Sequence, residues 1–132
     1  MAEALVGKWN FLSADNVDAY MDALGVSEQL RELARNIKPT VEISKDGDSW
    51  TIKTIAGDKT AQTTFIENQE VDTVSLIGQQ VKARLTIVGN KMIESQTVGD
   101  LDIVIERSVV DGVYVSKMQS KGVEAVLQFT KA

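Results

Sequence analysis

One arginine, Arg107, falls on the apolar side of a strand. The segment Asp102 to Val109 alternates so that Ile103, Ile105, Arg107 and Val109 share one side, while Asp102, Val104, Glu106 and Ser108 share the other. A permanently charged guanidinium facing inward needs an acceptor, because taking it out of water unpaired costs several kcal/mol. A carboxylate matches its fork of donors. That acceptor is either the carboxylate of a ligand, or an internal acidic residue or ordered cavity water. Other chemistry lacks parts: with no histidine and no cysteine, the commonest general base, the thiol nucleophile and the usual metal ligands are missing. No serine sits in a nucleophile elbow, no glycine loop is built for phosphate and no metal-ligand cluster is present. The chain is therefore expected to be no enzyme and to use no metal and no cofactor.

The elements that must position Arg107 are strands and one helical insertion. In Val81 to Val88 the residues Val81, Ala83, Leu85 and Ile87 face one way and Lys82, Arg84 and Thr86 the other; in the last segment Val123, Ala125, Leu127 and Phe129 share a side. Leu5 to Leu12 alternates likewise, with Gly7, Trp9 and Phe11 on one face. Turn signals recur at Asp46-Gly47, Gly57-Asp58, Glu67-Asn68, Gly78, Gly89-Asn90, Gly99-Asp100, Asp111-Gly112 and Lys121-Gly122, a spacing of roughly ten to twelve residues that suits an antiparallel meander or barrel. Nine strands after Pro39 and one before make about ten, enough to curl toward closure.

Between the first strand and the rest, Ser13 to Lys38 carries the one sustained helical period. Val17, Tyr20, Met21 and Leu24 follow i, i+3, i+4, i+7, and Leu30, Leu33, Ala34 and Ile37 repeat it. Two short amphipathic helices are predicted, with Asp15 or Ser13 capping the first, Gly25 stopping it, Ser27 capping the second and Pro39 barring its extension. A helical pair on a β framework must cover something.

The totals fit one domain. The 132 residues are 43% hydrophobic with no run long enough to span a membrane, and the net charge of −5 argues against a nucleic-acid partner. The N-terminus lacks a basic region followed by an apolar run, so no secretory signal is expected, and without cysteine a cytosolic, cytoplasmic location is favoured.

Over its whole length the chain resembles the intracellular lipid-binding proteins, the family of cytosolic fatty-acid and retinoid carriers. The resemblance rests on Gly7-Lys8-Trp9-Asn10-Phe11, Asn16-Val17-Asp18 and Tyr20-Met21-Asp22-Ala23-Leu24-Gly25-Val26, then on Lys38-Pro39-Thr40, Ile52-Lys53-Thr54, Glu106-Arg107 and Asp111-Gly112. It implies a mainly β fold, a ten-stranded antiparallel β-clam (an up-and-down barrel) as a single domain over 1–132, capped by a two-helix lid at about 15–37. It implies a non-enzymatic carrier, expected to be a monomer, that holds one long-chain fatty acid with its carboxylate near Arg107.

The resemblance also assigns the other site residues. Glu94 and Gln96 point inward on the neighbouring strand, where Glu94 either pairs with Arg107 and leaves a near-neutral floor or, if strand parity slips, faces solvent. Ser116 and Thr54 join them as candidate polar cavity groups. Ligand-tail and portal positions are Val17, Tyr20, Met21, Leu24, Val26, Leu30 and Ala34 from the helices, with Asp58, Leu76, Ile77, Met118, Leu127 and Phe129 from strands and turns. For about half of the helical residues the alternative is plain packing of the lid on the rim, and Trp9 and Trp50 are read as structural. Two departures stand out: Leu127 and Phe129 replace the arginine and tyrosine with which many fatty-acid carriers clamp the carboxylate, and Asp58 replaces a portal phenylalanine.

Burying about fifteen methylenes at about 0.8 kcal/mol each gives about 12 kcal/mol gross. Ordering and lost translation remove at least about 4 kcal/mol, which leaves roughly micromolar binding or tighter. The tail can thus supply affinity while the head group selects class. Alternatives are carriage of a retinoid or another lipid, and a lipid-switched interaction protein. Arg31, Arg35 and Lys38 could make transient contact with an acidic partner or anionic membrane through the lid, though Asp18, Asp22, Glu28 and Glu32 dilute that charge toward an ordinary solvated face.

Overall fold

The computed structural model describes residues 2–132. Ten antiparallel strands form one sheet: β1 (Gly7–Asp15), β2 (Thr40–Asp46), β3 (Ser49–Ala56), β4 (Lys59–Ile66), β5 (Glu70–Val74), β6 (Gln80–Val88), β7 (Lys91–Val98), β8 (Leu101–Val110), β9 (Val113–Ser120) and β10 (Val123–Lys131). Two helices, α1 (Val17–Ala23) and α2 (Glu28–Asn36), lie between β1 and β2. Strand order is β4-β3-β2-β1-β10-β9-β8-β7-β6-β5, so consecutive strands pair throughout except β4 with β5, and β1 also pairs with β10, joining the first strand to the last. The expected ten-stranded clam with its helical cap is the observed fold.

Local chemistry explains the meander. Each predicted turn falls between two strands, and Asp111-Gly112 shows why: both residues have positive φ, 52° and 80°, as a tight two-residue hairpin requires. Inward alternation survives in β6, where Val81, Ala83 and Leu85 are buried, and in β8, where Ile103, Ile105 and Arg107 are. The edges β4 and β5 do not pair by backbone; instead the Thr63 and Thr73 hydroxyls meet at 2.7 Å across the opening.

One end of the barrel is plugged and the other is capped. In the β1–β10 register Trp9 faces Lys131 whereas Asp15 faces Val126, so the chain start and the helices lie at opposite ends of that pair. At the plugged end a 3-10 turn, Glu3–Leu5, buries Leu5, and its carbonyl accepts the Trp9 indole N–H at 2.8 Å. Lys131 Nζ lies 4.7 Å from the centre of a Trp9 ring and donates to the Val6 carbonyl at 2.8 Å. Gly7, at φ 140°, makes that approach possible, since a β-carbon there would collide with the ammonium. Trp9 and Trp50 are buried in the core with Leu5, Phe65, Leu85 and Met92, the structural role expected of both tryptophans.

One local expectation, that Asp15 or Ser13 caps the first helix, needs correction. β1 runs on through Ser13, Ala14 and Asp15 past an irregularity at Leu12, so Ser13 and Asp15 are strand residues and neither caps α1. Asn16 holds the capping position in a left-handed conformation at φ 60° with no side-chain cap, and its amide instead donates to the Glu124 carbonyl at 2.8 Å, tying the start of the lid to β10. The other signals hold: Gly25, at φ 74°, follows α1, and Ser27 Oγ accepts the Leu30 N–H at 3.3 Å to cap α2. Among the described residues no helix is long and apolar enough to cross a membrane.

Candidate functional site

A cavity of about 1140 Å³ runs from the helices into the barrel. That is somewhat more than the roughly 300–1,000 Å³ of sites enclosing drug-sized ligands. All the helical residues expected at the tail end line it: Val17, Tyr20, Met21, Leu24, Val26, Leu30 and Ala34, joined by Thr54, Leu76, Ile77, Met118, Leu127 and Phe129. Asp58 is the exception. It sits exposed in the turn between β3 and β4 and does not line the cavity, while Gly57 beside it packs near Ile37 of the lid's exit.

The polar end is built from strand register. Arg107 on β8 stands directly opposite Met92 on β7 and Ser116 on β9, so Glu94 and Tyr114 are its diagonal neighbours on the same inward face. Diagonal positions, about 7–8 Å apart, are within reach of long side chains. Both make contact: Arg107 Nη1 lies 2.7 Å from Glu94 Oε1, and Arg107 Nε donates to the Tyr114 hydroxyl at 3.1 Å. Strand parity does not slip at Glu94. Glu94 Oε2 in turn accepts from Gln96 Nε2 at 2.6 Å. Ser116 is buried opposite Arg107, with Leu127 across from it on β10.

Glu94 (4% exposed) and Arg107 (8%) are the two buried charged residues among those described. Burial works against the Arg107 charge, but the Glu94 carboxylate and Tyr114 outweigh it and hold the guanidinium above its ordinary pKa. The Nη1 contact with Glu94 is a close charge contact lying off the line of a hydrogen bond, so this buried nitrogen keeps an unused donor. At the place of the second arginine there is only hydrocarbon: Leu127 and Phe129 line the cavity, Phe129 stacking on Tyr114 at 4.9 Å and meeting Phe11 edge-on at 6.0 Å.

Tyr114 was not singled out from the sequence, although it shares the parity of Ser116 and Met118 on β9 and so carried the signal that would have found it. It is buried, and Trp9 meets it edge-on at 5.6 Å. With Phe129 on its other contact, the phenol is locked where Arg107 needs an acceptor.

At the mouth, the lid arginines bond inward. Arg35 bonds Asp18 of α1 at 2.8 Å and Glu28 at 3.0 Å; Arg31 bonds Asp22 at 3.1 Å and Glu28 at 2.6 Å. Two arginines therefore fasten α1 to α2, and the Asp18 and Glu28 carboxyls are held below their ordinary values, by Arg35 for Asp18 and by Arg31 then Arg35 for Glu28. Tyr20, the buried residue of α1 that lines the cavity, has its phenol pushed up to about 12 by desolvation and is neutral.

The chain and its fold are similar to known proteins. Residues 3–123 match the lipocalin / cytosolic fatty-acid binding protein family, and the chain belongs to that family. Sodium/calcium exchanger regulatory protein 1 of Doryteuthis pealeii is 43% identical over 112 residues, 85% of this chain and 84% of that protein. Fatty acid-binding protein 5 of Pygoscelis papua is 31% identical over 131 residues, 98% of each chain. The solved structure of the REP1-NXSQ fatty acid transporter superposes with a TM-score of 0.95 at 37% identity, over 99% of this chain and 98% of that one.

Proposed function

We propose that this protein is a non-enzymatic carrier that takes one long-chain fatty acid into the barrel, acyl chain among the apolar lining and carboxyl group at Arg107. The observation that carries the reading is a large apolar cavity ending on one polar cluster, the buried Arg107, Glu94, Tyr114 and Ser116 with the half-buried Gln96. Similar proteins named as a fatty-acid transporter and a fatty acid-binding protein support the ligand class. The carrier works as a cytosolic monomer with neither metal nor cofactor. The mouth exposes Leu33, Val74 and Ile77 beside Lys38 and Lys59, a rim suited to brief contact with a membrane during transfer. The fastened lid arginines contribute little to that contact, since their charge is already spent on Asp18, Asp22 and Glu28.

The experiment is extraction of the purified protein into organic solvent with mass spectrometry of what leaves, followed by titration of the stripped protein with fatty acids. One fatty acid bound per chain is expected. A stripped protein that refuses every long-chain acid would overturn the reading.

A second reading has one observation in its favour, the 43% identity to an exchanger regulatory protein: lipid loading would switch a surface that engages another protein. Sodium/calcium exchange measured with stripped and loaded protein decides this, because a pure carrier has no effect that depends on loading.

A further inference from the structure

The floor pair bears on the form in which a ligand's head group is bound. Glu94 and Arg107 meet at 2.7 Å and are both buried, so the polar end already holds one anion for its one cation. A ligand carboxylate brought there would set two carboxylates against a single guanidinium. Like charges sharing a buried site do not both stay ionised, and one proton is held between them. The hydrogen-bonding inventory gives the same answer. Arg107 Nη1 meets Glu94 in a charge contact that leaves it donor capacity to spare, whereas Glu94 offers oxygens that take donors, as Oε2 does from Gln96. A carboxylic acid or a primary amide presents one acceptor and one donor and satisfies both; a carboxylate presents acceptors alone.

We propose that Glu94 determines head-group specificity: it makes the cavity floor electroneutral, so that the head group is bound in neutral form and a fatty acid enters with uptake of one proton from water, shared between its carboxyl and Glu94. A neutral-headed lipid of the same chain length, such as a primary amide, binds with no proton uptake. This rests on the carrier reading above and names the chemical form of its ligand.

No other group near the pair supplies that charge or that proton. β6 presents Ala83 and Leu85, β7 adds Gln96, β8 adds Ile103 and Ile105, and β10 adds Leu127 and Phe129, all without charge. β9 contributes Ser116 and the Tyr114 phenol, whose oxygen accepts from Arg107 Nε. The other ionisable side chains lining the cavity belong to the lid and mouth: Asp18, Tyr20, Arg35, Lys38 and Lys59. Asp18 and Arg35 are paired with each other there, and the Tyr20 phenol is neutral.

The sign follows from the free ligand. A fatty acid in water is ionised above its ordinary pKa of about 4.3, so each pH unit between about 6 and 8 makes the proton tenfold scarcer and the affinity about tenfold weaker. The test measures binding of palmitic acid and of palmitamide to the stripped protein at pH 6, 7 and 8, for wild type and Glu94→Gln. Wild type should lose about tenfold in palmitic acid affinity per pH unit while palmitamide stays constant. Glu94→Gln keeps the shape and the contact with Gln96 but frees Arg107, so its palmitic acid affinity should be flat with pH and exceed that of wild type at pH 8. Calorimetry of wild type in buffers of different ionisation heat counts the protons directly and does not depend on the variant folding. Affinity independent of pH with no proton taken up overturns the proposal while leaving the carrier intact. Refusal of both ligands at every pH overturns the carrier reading as well.

Discussion

The same chemical bond, guanidinium to carboxylate, occurs at both ends of the cavity and serves opposite purposes. At the floor, Arg107 and Glu94 meet at 2.7 Å with side chains 10% and 5% exposed. At the lid, Arg35 and Asp18 meet at 2.8 Å with side chains 39% and 59% exposed. Distance hardly differs, but surroundings do. Water and salt screen the lid pairs, which makes them a fastener that opens readily, whereas the floor pair is shielded and its loss leaves a bare buried charge. A carrier needs both, a lid that yields to a passing lipid and a floor that does not change.

Substitutions should separate the two ends. The largest effect is expected from Arg107→Leu, which strands Glu94 in the core and should cost about 3–5 kcal/mol in urea unfolding, together with loss of head-group selection. Replacing both partners by apolar side chains, Glu94→Leu with Arg107→Met, should recover most of that loss, because no buried charge is left; stability equal to the single variant would show that packing, not charge, dominates the floor. Tyr114→Phe removes the acceptor of Arg107 Nε and should cost about 1–3 kcal/mol, read by the same unfolding curves. Thr63→Val breaks the hydroxyl contact across the β4–β5 opening, with an expected loss of about 0.2–1 kcal/mol and faster amide exchange confined to those two strands.

The lid should show the smallest change in stability and a clear change in rate. Asp18→Asn with Asp22→Asn should leave the unfolding midpoint where it is yet speed release of a bound fluorescent fatty acid, and high salt should bring wild type toward the same rate. Because the Asp18 and Glu28 carboxyls are depressed in the folded protein, the fastener is complete above their ordinary values of 3.8 and 4.5 and is lost as pH falls through the lowered folded values. Release of a neutral-headed ligand such as palmitamide, whose affinity does not follow the floor pair's proton, should therefore accelerate only in acid below about pH 4. Rates unaffected by salt, acid and the double substitution would mean that the ion pairs do not hold the lid.

Much of this was legible from single residues and their spacing. Turn positions follow from local conformational preference, as Asp111-Gly112 shows, and the strand faces follow from a period of two, which put Arg107 inward beside Ile103 and Ile105. The lid helices follow from the period of Tyr20, Met21 and Leu24 and from Ser27 and Gly25 at their ends. These are short-range properties, carried by each residue and its neighbours in the chain. The start of α1 was misread because Ser13 and Asp15 look like caps locally, while pairing with Gln128 and Val126 of β10 keeps them in the strand. For Asp58, a place in the β3–β4 turn was legible, but that its side chain stays exposed and outside the cavity lining depends on neighbours distant in the chain.

What the tertiary structure alone decided is who meets whom across strands. Alternation placed Arg107 on an inward face and the family resemblance placed Glu94 there, but neither could say that Met92 and Ser116 stand opposite Arg107, and it is that register which sets Glu94 and the unanticipated Tyr114 on its two diagonals within reach. Nor could it show that Arg31 and Arg35 turn toward Asp22 and Asp18 of the other helix rather than toward solvent. The physical reason is the same in both places: a face is a property of one element, but an ion pair depends on the separation of two, and that distance exists only once the barrel has closed.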